Sequence, residues 1–253
     1  MSKIWPLFLT VIIIIGLPQK VTCAPNEFLS LAKSLRCNEL DSIKLCADAQ
    51  SVPKALGIIN DSRGLEREIS GLVKQYERIF KTSLDYSPMI VLLSQEALQK
   101  GSIAPEWASA LYVDKTLFIV FDSSRDNWRR QLIRALRHEI VHAFVASSSN
   151  NRCPAWFDEG LAMYLSGSSN IQTYETKKHT LAEINLKKNY RTLLDLEQDE
   201  AKRVYYAMDQ HLRSLIFRKG FGAVRKFLGS LKSGTSIDIA YQNSFDETSP
   251  LPN

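Results

Sequence analysis

The sequence lacks four features that would place it in common functional or structural classes. It contains no glycine-rich phosphate loop and no internal repeat. Its formal net charge is only +5, with scattered basic residues, which does not favour a nucleic-acid partner. Its apolar run Leu7–Leu17 is too short to span a bilayer comfortably. The function therefore has to be inferred from individual side chains that could together form a catalytic or binding site.

Residues 1–23 have the pattern of a secretory signal peptide. Lys3 precedes the apolar run, and small residues follow the run up to Cys23. Cleavage after Cys23 would remove Lys3 and Lys20 and so lower the formal charge from +5 to +3. The pattern predicts a secreted or periplasmic protein without stable membrane association once the peptide is cleaved. An uncleaved membrane anchor is the alternative.

The segment His138-Glu139-Ile140-Val141-His142 reads H-E-x-x-H within a helical apolar pattern. Residues four apart lie on one helix face, so His138 and His142 can bind one metal ion. Glu139 lies about 100° round the helix, where its carboxylate can take a proton from a water. The segment predicts two zinc ligands and a general base. Taken alone, it is equally compatible with a chance arrangement of polar residues on an amphipathic helix.

A second segment supplies a third ligand. Glu159 follows His142 by seventeen positions, in a helix predicted to begin near Pro154. A loop over Ala146–Arg152 would fold this helix back on the first, so that Glu159 points at the histidines. Asp158 is predicted to accept a hydrogen bond from an imidazole N–H and to fix its tautomer. The alternative is an acidic helix N-terminus favoured by the helix dipole.

The two segments together, H-E-x-x-H at 138–142 and W-F-D-E-G-L-A at 156–162, resemble the gluzincin metallopeptidases, in particular the peptidase MA-like domains. The resemblance covers roughly residues 65–245. It implies an α+β, zincin-like fold, in which a small mixed sheet and the active-site helix precede a mainly helical C-terminal subdomain. It also implies one zinc ion, held by His138, His142 and Glu159, and a peptide or protein substrate.

The resemblance also indicates a transition-state donor. Gluzincins often place a tyrosine or histidine there, and Tyr206, in Tyr205-Tyr206-Ala207-Met208, resembles that position. The alternative is that both tyrosines are packing residues of a helical subdomain. His179 and His211, the other two histidines, are predicted to be surface or core residues rather than rival ligands.

The chain divides into four predicted parts: the signal peptide at 1–23, a short helical segment at 24–63, the zincin-like domain at 64–247 and a tail at 248–253. Cys37 and Cys46 could form a disulfide in the second part, leaving Cys153 unpaired.

Within the predicted domain, a helix, a buried strand and a hairpin precede the zinc helix. After the second zinc helix, a further helix is predicted over Lys202–Lys219, ending at Gly220. The strand Leu117–Phe121 is the candidate edge strand for binding an extended peptide; an ordinary core strand is equally compatible with its sequence.

The predicted function is that of a secreted zinc metallopeptidase in which Glu139 is the general base. A non-catalytic zinc-binding module of the same fold and a zinc hydrolase acting on a non-peptide amide are the alternatives. The sequence determines neither cleavage specificity nor oligomeric state.

Overall fold

The computed structural model describes residues 12–14, 35–39, 43–49, 52, 54–55, 63–101, 108–113, 115–122, 124, 127–167 and 197–250. These residues form an α+β fold with a mixed sheet. The strands are β1 (Ile12–Ile14), β2 (Leu35–Glu39), β3 (Lys44–Asp48), β4 (Met89–Leu93), β5 (Ala110–Val113) and β6 (Thr116–Val120). Their order across the sheet is β1-β5-β6-β4-β3-β2.

The helices alternate with the strands at first and then follow one another. They are α1 (Arg63–Phe80), α2 (Gln95–Gly101), α3 (Trp128–Ser149), α4 (Ala155–Ser166), α5 (Gln198–Lys232) and α6 (Ile237–Phe245). The helical C-terminal part was predicted. None of the helices in the described ranges is long and apolar enough to cross a membrane.

The centre of the sheet is parallel. β4 pairs in parallel with β3 on one side and with β6 on the other. Its sequence, Met-Ile-Val-Leu-Leu, is almost wholly buried, as a strand covered on both faces requires. β5 and β6 form the predicted hairpin, which turns at Lys115 in a left-handed conformation with φ of 67°.

The prediction that Leu117–Phe121 lies at the sheet edge is wrong. These residues largely coincide with β6, which lies between β4 and β5 and has partners on both sides. Its backbone N–H and C=O groups therefore already pair with these two strands and cannot pair with an extended peptide. On this side of the sheet β5 lies further out, and Ile12–Ile14 pairs with it in parallel.

The helical prediction for residues 24–63 is wrong for Leu35–Glu39 and Lys44–Asp48, which form strands. β2 and β3 form an antiparallel pair, in which Cys37 lies opposite Cys46 and is bonded to it. The disulfide that the sequence left open is therefore present. Because β3 pairs with β4, these residues belong to the same sheet as strands of the predicted domain. Of the predicted signal peptide, only Ile12–Ile14 is described, and its cleavage stays a prediction.

The core lies between the sheet and the helices. α3 packs against β5 and β6, against α1 and against both α4 and α5. Phe144 of α3 lies at the centre of this arrangement, with its ring stacked on Phe80 at 5.5 Å and edge-on to Tyr76 at 6.1 Å. α3, the helix that carries H-E-x-x-H, is therefore the element that joins the sheet to the helical part.

α5 is interrupted where the sequence predicted a helix end. Gly220 has φ of 73° and ψ of 168°, which is not helical, and separates the α5 segment that contains Tyr205 from the segment that follows. Residues 248–250, from the predicted tail, follow α6 without regular structure.

Candidate metal centre

A sharp reversal between α3 and α4 positions the candidate site. α3 continues to Ser149, so the loop predicted from Ala146 is shorter than expected. Asn150 and Asn151 both adopt left-handed conformations, with φ of 54° and 57°. Asparagine tolerates this region better than most residues, which allows the chain to turn back within a few residues. Pro154 is the N-cap of α4, so the second helix returns along the first.

The reversal brings His138, His142 and Glu159 together, as predicted. Nε2 of His138 lies 3.5 Å from Oε2 of Glu159, and Nε2 of His142 lies 3.9 Å from the same oxygen. One donor atom from each of the three residues lies within 4.8 Å of the others. Donors about 2.1 Å from one tetrahedral zinc ion are about 3.4 Å apart, so these separations are close to those of a zinc site.

Pairing between histidine and glutamate does not account for the cluster. The two Nε2 atoms and both carboxylate oxygens of Glu159 are buried and have no hydrogen-bond partner among the described residues. Such groups are costly to leave unpaired, and their separations exceed the usual N–H···O range of about 2.7–3.2 Å. Burial lowers the pKa of both histidines, and for His138 the charges of His142 and Arg134 lower it further. Neutral imidazoles facing a carboxylate form a donor set that fits a zinc ion.

Glu139 lies beside this donor set. Both of its carboxylate oxygens are buried without a hydrogen-bond partner in the described part of the chain. Burial raises its pKa, and the negative charge of Asp158 raises it further. A higher pKa makes the ionised carboxylate a stronger proton acceptor, and a general base must be ionised before it accepts the proton.

The Nδ1 atoms of the two imidazoles, which lie across each ring from Nε2, face side chains of α4. Asp158 Oδ1 lies 2.8 Å from Nδ1 of His142, so Asp158 is placed where it was predicted. In the tautomer of His142 that carries its proton on Nδ1, the Nδ1–H group donates to the carboxylate of Asp158. The lone pair of Nε2 is then available to a metal ion. Ser166 Oγ lies 3.5 Å from Nδ1 of His138. The sequence did not single out Ser166, which falls at the end of α4 without any recognised motif.

Two aromatic residues before the acidic pair anchor α4. Phe157 packs on Phe227 at 4.5 Å, and Trp156 packs edge-on to His211 at 5.5 Å. Nε2 of His211 lies 3.0 Å from the hydroxyl of Tyr241. His211 therefore belongs to the contact between α4, α5 and α6, as expected for a core residue. His179 lies outside the described residues.

Gly160 allows α4 to approach α5 closely. A Cβ atom at this position would lie 2.8 Å from the backbone oxygen of Met208 and 2.9 Å from Cδ2 of Leu212. Any larger residue would push apart the helix that carries Glu159 and the helix that carries Tyr205. This contact gives a physical reason for glycine directly after the predicted third ligand.

Replacing Gly160 by alanine should therefore destabilise the protein. We expect Gly160→Ala to lower the free energy of unfolding by about 1–3 kcal/mol, the usual cost of overpacking. Gly229→Ala is the matched control, because Gly229 also lies within a helix, in this case α5, but a Cβ there would meet nothing within 4 Å. The control should stabilise by about 0.5–1 kcal/mol through helix propensity. Urea unfolding measures both, and equal effects would contradict the proposed close approach.

Of the two neighbouring tyrosines, Tyr205 is the one whose phenol is affected by the charges of the site. Tyr205 is buried, and the pKa of its phenol is raised by burial and then by the negative charges of Glu159 and Glu139. Tyr206 is half-buried and has no hydrogen-bond or ring partner among the described residues. The apolar spacing of α5 could have identified the inward face, because Ala201, Tyr205, Met208 and Leu212 are all buried.

The geometry thus brings together five predicted residues: His138, Glu139, His142, Asp158 and Glu159. It adds Ser166, and of the two neighbouring tyrosines it shows Tyr205 buried and Tyr206 half-buried. The chain matches no model of a known protein family and no curated protein sequence.

Proposed function

We propose that this protein is a secreted zinc-dependent metallopeptidase of zincin-like fold. The observation that carries the proposal is the buried group of His138, His142 and Glu159, whose donor atoms converge, with the carboxylate of Glu139 beside them. The resemblance of both segments to gluzincins supports the same function.

Three protein ligands leave a coordination position open, as is typical of catalytic rather than structural zinc sites. A zinc ion held by these residues would supply Lewis-acid chemistry, lowering the pKa of a water and polarising the scissile carbonyl. Asp158 would hold the imidazole of His142 in the required tautomer through their 2.8 Å contact. The chain thus supplies both the ligands and the group that orients one of them.

Glu139 would transfer the proton. Its carboxylate would accept a proton from the attacking water and pass it to the departing amine as the peptide C–N bond breaks. The hydroxyl of Tyr205 would donate a hydrogen bond to the oxygen that becomes negative during attack. Burial raises the pKa of this phenol, so that it keeps its proton at neutral pH.

One observation favours a second candidate function. His138, Glu139, His142 and Glu159 are each 0% exposed, so a substrate could reach them only after covering residues move. A non-catalytic zinc-binding module of the same fold would need no such movement. Such a module would also have no use for a carboxylate at Glu139, and for this reason the peptidase is the better proposal.

Metal analysis and a peptide-library digest of the same preparation test the proposal. We expect one zinc ion per chain, together with cleavage of a subset of the peptides. Stoichiometric zinc without cleavage would support the non-catalytic module. A preparation that neither contains nor takes up zinc would contradict both candidates. Mass spectrometry of the products distinguishes endopeptidase from exopeptidase cleavage.

A further inference from the structure

The two imidazoles of the candidate metal centre have different partners on α4. Nδ1 of His142 lies 2.8 Å from the carboxylate of Asp158, in the first turn of this helix. Nδ1 of His138 lies 3.5 Å from the hydroxyl oxygen of Ser166, the last residue of the helix. The proposed function gives Asp158 a role, the orientation of His142, but it leaves Ser166 without one.

The proton of the His138 ring decides whether this residue can bind a metal ion. Burial lowers the pKa of His138, so the ring is neutral at neutral pH and carries one proton, on either Nδ1 or Nε2. Nε2 is the nitrogen that faces Glu159, at 3.5 Å from Oε2. A metal ion needs the lone pair of this nitrogen, so the zinc-binding tautomer of His138 has its proton on Nδ1.

The other tautomer of His138 competes with metal binding. It directs an Nε2–H group at the carboxylate of Glu159, across the same 3.5 Å. A ring in this state cannot accept zinc until its proton moves to the other nitrogen. The apparent affinity for a ligand falls in proportion to the fraction of protein in the binding-competent state. An acceptor at Nδ1 therefore raises the affinity for zinc by favouring the competent tautomer.

The hydroxyl of Ser166 is placed to be that acceptor. Its Oγ also lies 3.4 Å from the backbone oxygen of Met163, to which it can donate its hydrogen. A hydroxyl oxygen keeps two lone pairs for other bonds, so it can accept from Nδ1–H of His138 at the same time. The Met163 oxygen also accepts the backbone N–H of Gly167, the C-cap of α4. The end of the helix thus fixes the group that orients the hydroxyl.

We propose that Ser166 is a positioning residue, whose hydroxyl accepts a hydrogen bond from Nδ1–H of His138 and holds this imidazole in the tautomer that binds zinc. The inference rests on the zinc site of the proposed function and adds to it a residue that acts through a ligand. A neutral acceptor suits this place, because Glu139, Asp158 and Glu159 already bring three buried carboxyl groups to the site. A further carboxylate would add repulsion between like charges.

Zinc affinity, measured by competition with a chromophoric chelator, tests the effect on the metal site. We expect Ser166→Ala to bind zinc about tenfold more weakly than the wild type, at the low end of the usual effect for a partner of a metal ligand. Ser166→Thr keeps the hydroxyl and should bind zinc nearly as tightly as the wild type.

Ser149→Ala is the matched control for the loss of a buried serine hydroxyl. Ser149 is buried at the end of α3, and its hydroxyl donates to the backbone oxygen of Val145 at 2.7 Å. It thus makes the same kind of bond to its own helix as Ser166 does, but it has no described contact with either imidazole. Its variant should bind zinc as the wild type does, even if both alanine variants unfold at lower urea concentrations.

Nitrogen NMR of isotope-labelled histidines in metal-free protein tests the tautomer itself and requires neither zinc nor activity. The signals of His138 are identified by their loss in His138→Gln. We expect Ser166→Ala to lower the fraction of His138 that carries its proton on Nδ1, and Ser149→Ala to leave this fraction unchanged.

Three results would overturn the role of Ser166: an unchanged tautomer fraction in Ser166→Ala, an unchanged zinc affinity in the same variant, or an equal loss of affinity in Ser149→Ala. A wild-type protein that takes up no zinc would contradict the proposed function, and the tautomer comparison would still decide whether Ser166 holds the proton of His138 on Nδ1. Ser166-dependent zinc binding in a protein that cleaves no peptide would support the positioning role while contradicting the peptidase.

Discussion

Replacing Glu139 by glutamine should lower turnover by several orders of magnitude while leaving the zinc content unchanged. Glutamine has nearly the same shape as glutamate but cannot accept the proton of the attacking water. Both carboxylate oxygens of Glu139 lack a hydrogen-bond partner among the described residues, so the exchange breaks no described contact. Burial disfavours a negative charge here, so the neutral amide should not destabilise the fold. Steady-state kinetics and metal analysis measure the two properties.

Glu200→Gln is the control for this change, because Glu200 is exposed on α5 and should affect neither property. Near-normal turnover of Glu139→Gln at full zinc content would contradict the role of general base. Loss of zinc together with turnover would also contradict it, because Glu139 would then be acting as a ligand.

The parts of the site that depend on local spacing could be predicted from the sequence. His138 and His142 share a face because they are four residues apart on a helix, whatever the helix packs against. The break at Gly220 depends only on the freedom of glycine to leave the helical region. The prediction that Glu159 meets the two histidines also required the chain to reverse direction between α3 and α4. The structure shows this reversal at Asn150 and Asn151.

The sheet could not be predicted in the same way. β3 pairs with β4 across 45 residues of sequence, as in Lys44 with Met89, and this contact stabilises a segment whose own sequence was interpreted as helical. Strand preference depends on the neighbours that a strand acquires, and neighbours of this kind are not visible locally. The same reason explains the error over Leu117–Phe121, since strand order is a property of the whole sheet.

The choice between Tyr205 and Tyr206 could not be made from the sequence for a different reason. Adjacent residues of a helix point about 100° apart, so choosing between two neighbouring tyrosines requires the inward face of α5. The resemblance to gluzincins suggested a tyrosine in this region but did not define that face. Gly160 defines it, because its close approach to Met208 fixes how α5 lies on α4.

Tyr205→Phe should therefore lower turnover by about 10²-fold, the usual cost of removing one donor to a developing oxyanion. The change removes only the hydroxyl and keeps the buried ring, so packing and zinc content should remain as in the wild type. The phenol is protonated at neutral pH, because even an unperturbed tyrosine has a pKa of about 10 and burial and the charges of Glu159 and Glu139 raise it further. Steady-state kinetics with a peptide from the library digest measures the effect.

Tyr206→Phe provides the matched control one position along the same helix. Tyr206 is half-buried and has no described hydrogen bond to lose, so its variant should retain nearly full turnover. The reverse result, with turnover lost in Tyr206→Phe and kept in Tyr205→Phe, would restore the assignment made from the sequence. Full turnover in both variants would mean that both tyrosines are packing residues and that another group stabilises the oxyanion. A loss confined to Tyr205→Phe would mean that α5 contributes to catalysis through the face set by Gly160.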